Sequence, residues 1–462
     1  MGLVFIMKNE TISEKLASYI FGVDYKKLSL KVIDKVKLCI LDLLGAHFAG
    51  YRLTAANPIK EYILCGKTGE GATVWSLGIR TTFTEAAFAN SALSHMTVFD
   101  DMHADTASHF GSIVIPAAFA IGEDLKSSGK DIIAAIVSGY EVGIRVGTAL
   151  MYGTFGSSGF RPSGTFGVFA SAVAAGKLLG LNSDQMTSAL GLAGNFGIGL
   201  MAFAYEGTDD LMYHNALASR NGILSAILAK NGAIAPRSIF EINGGVLKTY
   251  GANVEDGEKI TENLGEKFRI EEVYFKSIPA CAFVQSAAMA ALEIINTNKV
   301  RIEDIKKITV RIFPHGKNYP GLDYCGPFKG VMQAQMSNPY TIASILIRKG
   351  IVFEDFVNFA DPSVQSLAEK ICISEDQEAA QRWPNEQLAN IKVFMKDGYT
   401  IKSVSKNPHF LGDSEVIDKC RTYMGQVTGE YACEDFIKNV QSIEDIDDIN
   451  QLTLKLSKNV KQ

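Results

Sequence analysis

The sequence lacks the features that mark several common classes of protein. Its seven cysteines are widely spaced and include no CxxC pair, which argues against a disulfide framework and a zinc site. The net charge is −5, so there is no basic excess for binding nucleic acid. No GxGxxG sequence follows a predicted strand, so nothing indicates a dinucleotide site. An anionic ligand would need local cations inside a pocket, because the overall charge repels it.

Long apolar runs are also missing. The apolar stretches at 111–122 and 164–180 are short or interrupted by glycine and Lys177, so neither predicts a membrane span. The apolar part of residues 1–8 is too short for the core of a signal peptide. We therefore expect a cytoplasmic protein that binds neither membrane nor nucleic acid.

The first half of the chain is patterned for helices. Apolar residues recur at helical spacing in 31–46, and this helix is expected to end near Gly45. Residues 85–97 are rich in alanine. Residues 163–180 are rich in glycine, alanine and serine, which predicts a helix packed closely on its neighbours. Residues 213–230 repeat the helical pattern, so this half should be almost entirely α.

After residue 265 a period of two residues replaces the helical period. The dipeptide Asp397-Gly398 joins two such stretches and predicts a hairpin with a type I′ turn. Helical patterns lie between the predicted strands, as in an α+β domain. The predicted strands are 307–313, 391–396 and 399–404, and the predicted helices are 282–296 and 339–349.

These patterns predict a mainly α fold with two domains, since 462 residues are too many for one ordinary core. A large all-helical domain would span residues 1–265 and be completed by the helical, charged segment 406–462. A smaller α+β lid domain would span residues 266–405.

The densest group of ionisable residues comprises Asp100, Asp101, His103 and His109, which precede the apolar segment 113–121. Neighbouring carboxylates can orient an imidazole and adjust its pKa toward neutrality, as a general base requires. One alternative is that the aspartates cap helices and the histidines lie on the surface. Another is a metal site, although no zincin spacing is present.

A glycine-rich turn at 159–164 leads into the small-residue helix. The start of a helix offers free N–H groups, and an arginine can bind a carboxylate through two hydrogen bonds. Arg161, Ser163 and Gly164 therefore predict an anion site. The alternative is an ordinary loop with a solvated arginine.

Lys276 and His214 are two further candidates. Lys276 lies between Phe275 and Ile278, where partial desolvation would lower its pKa, but a solvated surface lysine fits the sequence equally well. His214 follows an acidic turn and is either a ligand or a structural histidine. We interpret Cys281 as a packing residue rather than a nucleophile.

The order and spacing of these groups resemble the MmgE/PrpD family, which includes 2-methylcitrate dehydratase, cis-aconitate decarboxylase and iminodisuccinate epimerase. The resemblance covers nearly the whole chain, and it rests on the combination of motifs rather than on any one of them. The matching segments are 42–45, 71–74, 85–90, 95–101, His109, 159–164 with the helix to Gly180, 206–208, His214, 276–281, 337–340 and 397–398.

The resemblance implies a helical domain and a lid-like domain around a cleft, a homodimer, and no metal or organic cofactor. It implies proton abstraction next to a carboxylate of a small anionic polycarboxylate, followed by loss of water or carbon dioxide or by reprotonation on the other face. His109 and Lys276 match active-site residues of the family, and Asp100 and Asp101 match its paired aspartates.

Four positions depart from the family pattern. Arg161 replaces a usual histidine and Leu211 a usual lysine, while Val98 and Met102 replace an aspartate and a threonine. Arginine keeps a positive charge but is a poor proton shuttle near neutral pH.

The favoured interpretation is a lyase, either a dehydratase or a decarboxylase, that acts on a small di- or tricarboxylate. Arg161 and the helix start would bind one carboxylate, and Lys276 would bind another or stabilise the enolate. His109, oriented by one of the paired aspartates, would take the proton, with His103 as a spare acid. One alternative is a cofactor-independent epimerase or racemase of an amino- or imino-dicarboxylate, which needs no acid for a leaving group. A non-catalytic family member is the second alternative.

Overall fold

The computed structural model describes residues 10–66, 69–383 and 385–459. The predicted mainly α fold is confirmed over these ranges, and the strands form only two small sheets. Residues 1–8, which entered the prediction of location, and the last residues of segment 406–462 lie outside the described part.

The helices of the first half share one hydrophobic core, except for the short helix Ala202–Glu206, whose buried Phe203 and Ala204 belong to a second core. These α-helices are α1 (Ile12–Phe21), α2 (Leu30–Tyr51), α3 (Asn57–Cys65), α4 (Phe83–His95), α5 (Gly111–Leu125), α6 (Gly129–Met151), α7 (Pro162–Leu178), α8 (Ser183–Phe196), α9 (Ala202–Glu206), α10 (Leu211–Lys230), α11 (Val246–Thr249) and α12 (Glu258–Thr261). A short antiparallel hairpin, β1 (Ala72–Val74) and β2 (Ile79–Thr81), interrupts them and was not predicted, because three-residue strands are too short to show a period.

Helix α2 continues through Gly45, where the sequence predicted its end. A Cβ atom at Gly45 would lie 3.2 Å from the backbone nitrogen of Cys420, in the C-terminal segment. The glycine therefore allows two helices to approach closely and does not terminate either of them.

The small-residue helix α7 is buried over most of its length, as predicted, and its packing partner is α10. The two helices are so close that a Cβ atom at Gly222 would lie 1.9 Å from Ser171 Oγ. Helix α6 is, among the described helices, the one long and apolar enough to cross a membrane by composition. Its apolar window is 94% buried inside the protein, which is typical of a core helix.

A second hydrophobic core lies around a four-stranded sheet of order β4-β3-β5-β6. Strand β3 pairs in parallel with β4 and antiparallel with β5, and β5 pairs antiparallel with β6. The strands are β3 (Ile305–Ile312), β4 (Ile371–Glu375), β5 (Ala389–Met395) and β6 (Thr400–Ser405). The helices of this part are α13 (Gln285–Thr297), α14 (Pro314–Asn318), α15 (Val331–Met336), α16 (Asn338–Arg348), α17 (Phe353–Val357), α18 (Pro362–Ala368) and α19 (Gln377–Arg382).

The predicted hairpin is present, but its turn is not of type I′. Gly398 has a φ of 91°, whereas Asp397 is not left-handed. The amide of Gly398 bonds to Met395 O, and the amide of Met395 bonds to Tyr399 O. The loop between Met395 and Tyr399 thus has three residues, and the last of them is a left-handed glycine. Hairpins with such loops are the most common class after those with two-residue loops.

The C-terminal helices return to the first core, where α20 packs on α2. They are α20 (Asp413–Thr428), α21 (Glu430–Gln441) and α22 (Asn450–Asn459). Between the two halves, Phe275 belongs to the first core and Ile278 to the second. The predicted domain boundary at 265 and the motion of a lid stay predictions.

Candidate active site

The turn that follows α4 is bound by three long side chains from distant segments. Its carbonyl oxygens accept hydrogen bonds in succession. Thr97 O accepts from Gln335 Nε2 at 2.6 Å, Val98 O from Lys276 Nζ, and Phe99 O from Lys419 Nζ. Val98 has a φ of 50°, a left-handed conformation that a β-branched residue rarely adopts. This turn determines where the next residue, Asp100, points.

Asp100 is fully buried between two imidazoles. His95 Nδ1 lies 3.0 Å from each of its carboxylate oxygens, and His109 Nδ1 lies 3.3 Å from Oδ1. The two rings meet edge to face with their centroids 4.7 Å apart. Although burial favours the neutral acid, the neighbouring imidazoles keep the pKa of Asp100 well below its usual range. The centre of the site is therefore a buried carboxylate shared by two histidines.

Arg161 completes this arrangement from the start of α7. Its guanidinium donates to His95 Nε2 at 2.6 Å and also to Asn215 Oδ1. His95 must then carry its proton on Nδ1, where it donates to Asp100. Burial lowers the pKa of His95 to about 3, so this ring is neutral near pH 7. Arg161 is 4% exposed and thus provides a positive charge inside the protein rather than in solvent.

Lys276 is fully buried, which contradicts the alternative of a solvated lysine. Tyr274, two residues before the lysine, pairs with Met102 through two backbone hydrogen bonds of 2.9 and 3.0 Å, which holds this segment next to the turn. Burial lowers the pKa of Lys276 to about 8, while the negative charge of Asp100 opposes this shift. The ammonium of Lys276 therefore feels the charge of Asp100 but bonds to Val98 O rather than to that carboxylate.

A small cavity, here called the inner cavity, opens beside this group, with a volume of about 40 Å³. Its polar walls are His109, Arg161 and Tyr319. Its other lining residues are Val98, Met102, Ala107, Pro162, Phe203, Leu211, Cys281, Ala282, Phe283 and Met336. This volume accommodates about three waters. A dicarboxylate would require the lining residues to move apart.

Asp101 points away from the histidines. Its Oδ1 accepts the amide of Gly111 at 2.9 Å, and its Oδ2 accepts the Tyr140 hydroxyl at 2.7 Å. Burial, together with the charges of Asp42 and Asp100, raises the pKa of Asp101 to about 7. Asp101 therefore fixes the start of α5 and does not contact the imidazoles.

His103 is also turned away from the inner cavity. Its Nδ1 lies 3.1 Å from Thr106 Oγ1 and its Nε2 lies 3.2 Å from Glu272 Oε2. Although it is only six residues from His109, the structure does not bring His103 to Asp100.

The other predicted anion-binding residues support the site from behind. Ser163 Oγ accepts the amide of His109 at 3.1 Å. Gly164 provides space, because a Cβ atom there would lie 2.0 Å from Ile198 O. His214 lies 3.6 Å from Asp210, and burial lowers its pKa to about 4. Ser163 thus holds the backbone of His109, and none of these three residues lines the inner cavity.

The MmgE/PrpD N-terminal domain model matches residues 14–256, and the MmgE/PrpD C-terminal domain model matches residues 278–445. The chain belongs to the MmgE/PrpD family. Two similar relatives, each 28% identical, are proteins named cis-aconitate decarboxylase, and they are lyases. The Aspergillus terreus protein matches over 93% of this chain and 92% of its own length. The human protein matches over 97% and 95%.

All four departures from the MmgE/PrpD pattern line the inner cavity. They are Val98, Met102, Arg161 and Leu211. Three of these four side chains are apolar, so the walls of the cavity differ from the family pattern while the carboxylate between the histidines is retained. The differences are therefore concentrated where a substrate would touch the protein.

Three residues of the site could also coordinate a metal ion. His95, Asp100 and His109 each offer one ligand atom within 4.8 Å of the others. The guanidinium of Arg161 beside His95 opposes a second positive charge at this place. That no metal is needed stays a prediction of the sequence.

From the sequence, His95 was identified only as part of the matching segment 95–101, and Asn215 was not identified as a site residue. His95 ends an alanine-rich helix and has no charged neighbour in the sequence before Asp100. Asn215 bonds to both Arg161 and Ser112, the latter at 2.9 Å, and lies one residue after the predicted His214. Only the packing of α4, α7 and α10 brings these residues together.

Proposed function

We propose that the chain is a lyase that acts on a small di- or tricarboxylate. It removes a proton next to a carboxylate and eliminates water, or it loses carbon dioxide and adds a proton to the carbon that the carbon dioxide leaves. The observation that carries the proposal is the buried carboxylate of Asp100 between His95 and His109, next to two buried cations. A carboxylate that orients an imidazole is the usual device for making a general base. The two cations, Arg161 and Lys276, would stabilise the negative charge that develops on an enolate intermediate.

In this mechanism His109 takes the proton, because its Nδ1 faces Asp100 and its Nε2 is left for the substrate. Arg161 binds one carboxylate. Lys276 releases its hydrogen bond to Val98 O and donates instead to the enolate oxygen of the substrate. Because the structure places His103 against Glu272, we assign the proton for the leaving group to Tyr319, whose hydroxyl stays protonated since burial raises its pKa.

Proton exchange tests the mechanism directly. The protein is incubated in deuterated water with citrate, cis-aconitate, malate and methylsuccinate, and NMR follows both exchange and products. We expect the parent protein to catalyse elimination. His109→Ala and Lys276→Ala should lose this activity while their circular dichroism stays unchanged. Exchange without elimination would instead show an epimerase. Full turnover in both variants would refute the assignment.

A homodimer and a cytoplasmic location also stay proposals. Light scattering of the purified full chain distinguishes a dimer from a monomer, because the mass of one chain is 50.1 kDa.

A further inference from the structure

Two larger cavities lie outside the inner cavity, where the first core meets the second. Their volumes are about 380 and 320 Å³. Both are lined by Ala107, Met151, Phe283 and His315, so they are adjacent, and together they are here called the outer pocket.

The outer pocket adjoins the inner cavity. Ala107 and Phe283 line all three spaces, and Pro162 and Tyr319 line both the inner cavity and the nearer part of the outer pocket. A ligand with its reacting carbon at His109 would therefore extend past Phe283 into the outer pocket.

The walls of the outer pocket do not suit a carboxylate. No lysine or arginine is among the described residues that line it. Burial lowers the pKa of His315, which leaves its imidazole neutral near pH 7. This ring stacks on Trp383 with their centroids 5.1 Å apart. Asp105 lines the same space and would repel an anion.

Apolar and aromatic side chains supply most of the remaining surface. Besides Phe283 and Met151, they include Trp383 and Tyr152 on one side and Phe160 and Met201 on the other. Such a surface gains free energy from burying hydrocarbon.

We infer that the substrate is a carboxylate that bears an apolar substituent, with its charged end at Arg161 in the inner cavity and its hydrocarbon part in the outer pocket. The inference rests on the proposed function, since it places the reacting carbon at His109. It specifies the substrate class as an alkyl- or aryl-substituted dicarboxylate and not a compact tricarboxylate.

A homologous series of ligands tests this inference. Calorimetry at pH 7.5 measures binding of succinate and of 2-alkylsuccinates from methyl to hexyl to the full chain. The dissociation constant should fall roughly fourfold per methylene over the first few carbons. Citrate should bind more weakly than hexylsuccinate. A dissociation constant independent of chain length, or citrate as the tightest ligand, would overturn the inference.

A variant at the rim tests where the alkyl chain binds. Ala104 is exposed and lines the outer pocket, so Ala104→Phe narrows it without a change in either core. This variant should weaken hexylsuccinate at least tenfold and leave succinate unchanged. Ala233→Phe, on the loop after α10, is the matched control and should bind both ligands as the parent does. Equal binding of hexylsuccinate by the parent and Ala104→Phe would exclude the outer pocket.

Proton exchange on the same ligands separates the two proposals. Exchange at the carbon next to the carboxylate, with no gain from a longer chain, would keep the proposed function and overturn the inference. Tighter binding of ligands with a longer alkyl chain, without any proton exchange, would support the outer pocket as a binding site and count against the proposed lyase.

Discussion

Replacement of Asp100 by asparagine tests the central element of the site. The asparagine keeps the size of the side chain but removes the negative charge that lies 3.0 Å from His95 Nδ1 and 3.3 Å from His109 Nδ1. Burial already lowers the pKa of His109, and Asp100 is the largest influence that raises it. Without the carboxylate, His109 becomes a weaker base and loses the group that orients it.

The magnitude follows from what a positioned base supplies. General base catalysis contributes typically 10²- to 10⁴-fold to a rate. We therefore expect kcat to fall by about 10²- to 10⁴-fold in Asp100→Asn, or about 3 to 5 kcal/mol of activation free energy. The variant should also be less stable by about 3 kcal/mol, because Lys276 and Arg161 lose a buried counter-charge.

The assay is the rate of proton exchange or elimination at saturating substrate, together with urea unfolding at pH 7. Asp101→Asn is the matched control, because the neighbouring carboxylate bonds to Tyr140 and Gly111 instead of a histidine. It should lower the rate by less than about tenfold. If the two asparagine variants lose activity equally, the distinct roles of the paired aspartates are wrong.

Two further predictions concern stability. Burial lowers the pKa of His47 to about 3, whereas the unfolded chain has a histidine pKa of about 6.5. The neutral ring therefore makes its full contribution to the free energy of unfolding above about pH 6.5. This contribution is lost as the pH falls toward 3, because the unfolded chain binds a proton that the folded protein does not. When the pH is lowered from 7 to 5, this histidine alone should reduce the free energy of unfolding by about 2 kcal/mol. Urea denaturation of His47→Gln should therefore show a decrease over this pH range that is smaller by that amount than in the parent protein. An equal decrease in the two proteins would contradict the prediction. Lys126 ends α5 with a φ of 55° and is exposed, so Lys126→Gly should raise the unfolding free energy by about 1 kcal/mol, whereas the control Lys126→Ala, which keeps the left-handed strain, should not.

The regular elements were predictable because periodicity is a local property. The helices over α2, α4, α7 and α10 and the hairpin of β5 and β6 follow from patterns within about twenty residues. The errors arose where a contact with a distant segment decides the outcome. Gly45 continues a helix because α20 packs against it, and this contact joins residues far apart in the sequence.

The candidate site was only partly predictable for the same reason. The sequence placed Asp100, Asp101, His103 and His109 in one group, yet the structure separates them. Consecutive residues of a turn point in different directions, so Asp100 meets the histidines while Asp101 meets Tyr140. Sequence proximity therefore identified the right turn without identifying which of its side chains share a cavity.

The four departures from the family pattern acquire a common meaning once their positions are known. Val98, Met102, Arg161 and Leu211 all line the inner cavity beside His109, whereas Asp100 and His95 lie behind it. The retained groups are those that can move a proton, and the altered groups are those that would touch the rest of the substrate. Since three of the altered side chains are apolar and the outer pocket beyond them is also apolar, we expect this chain to keep the proton chemistry of its family and to apply it to a less highly charged substrate.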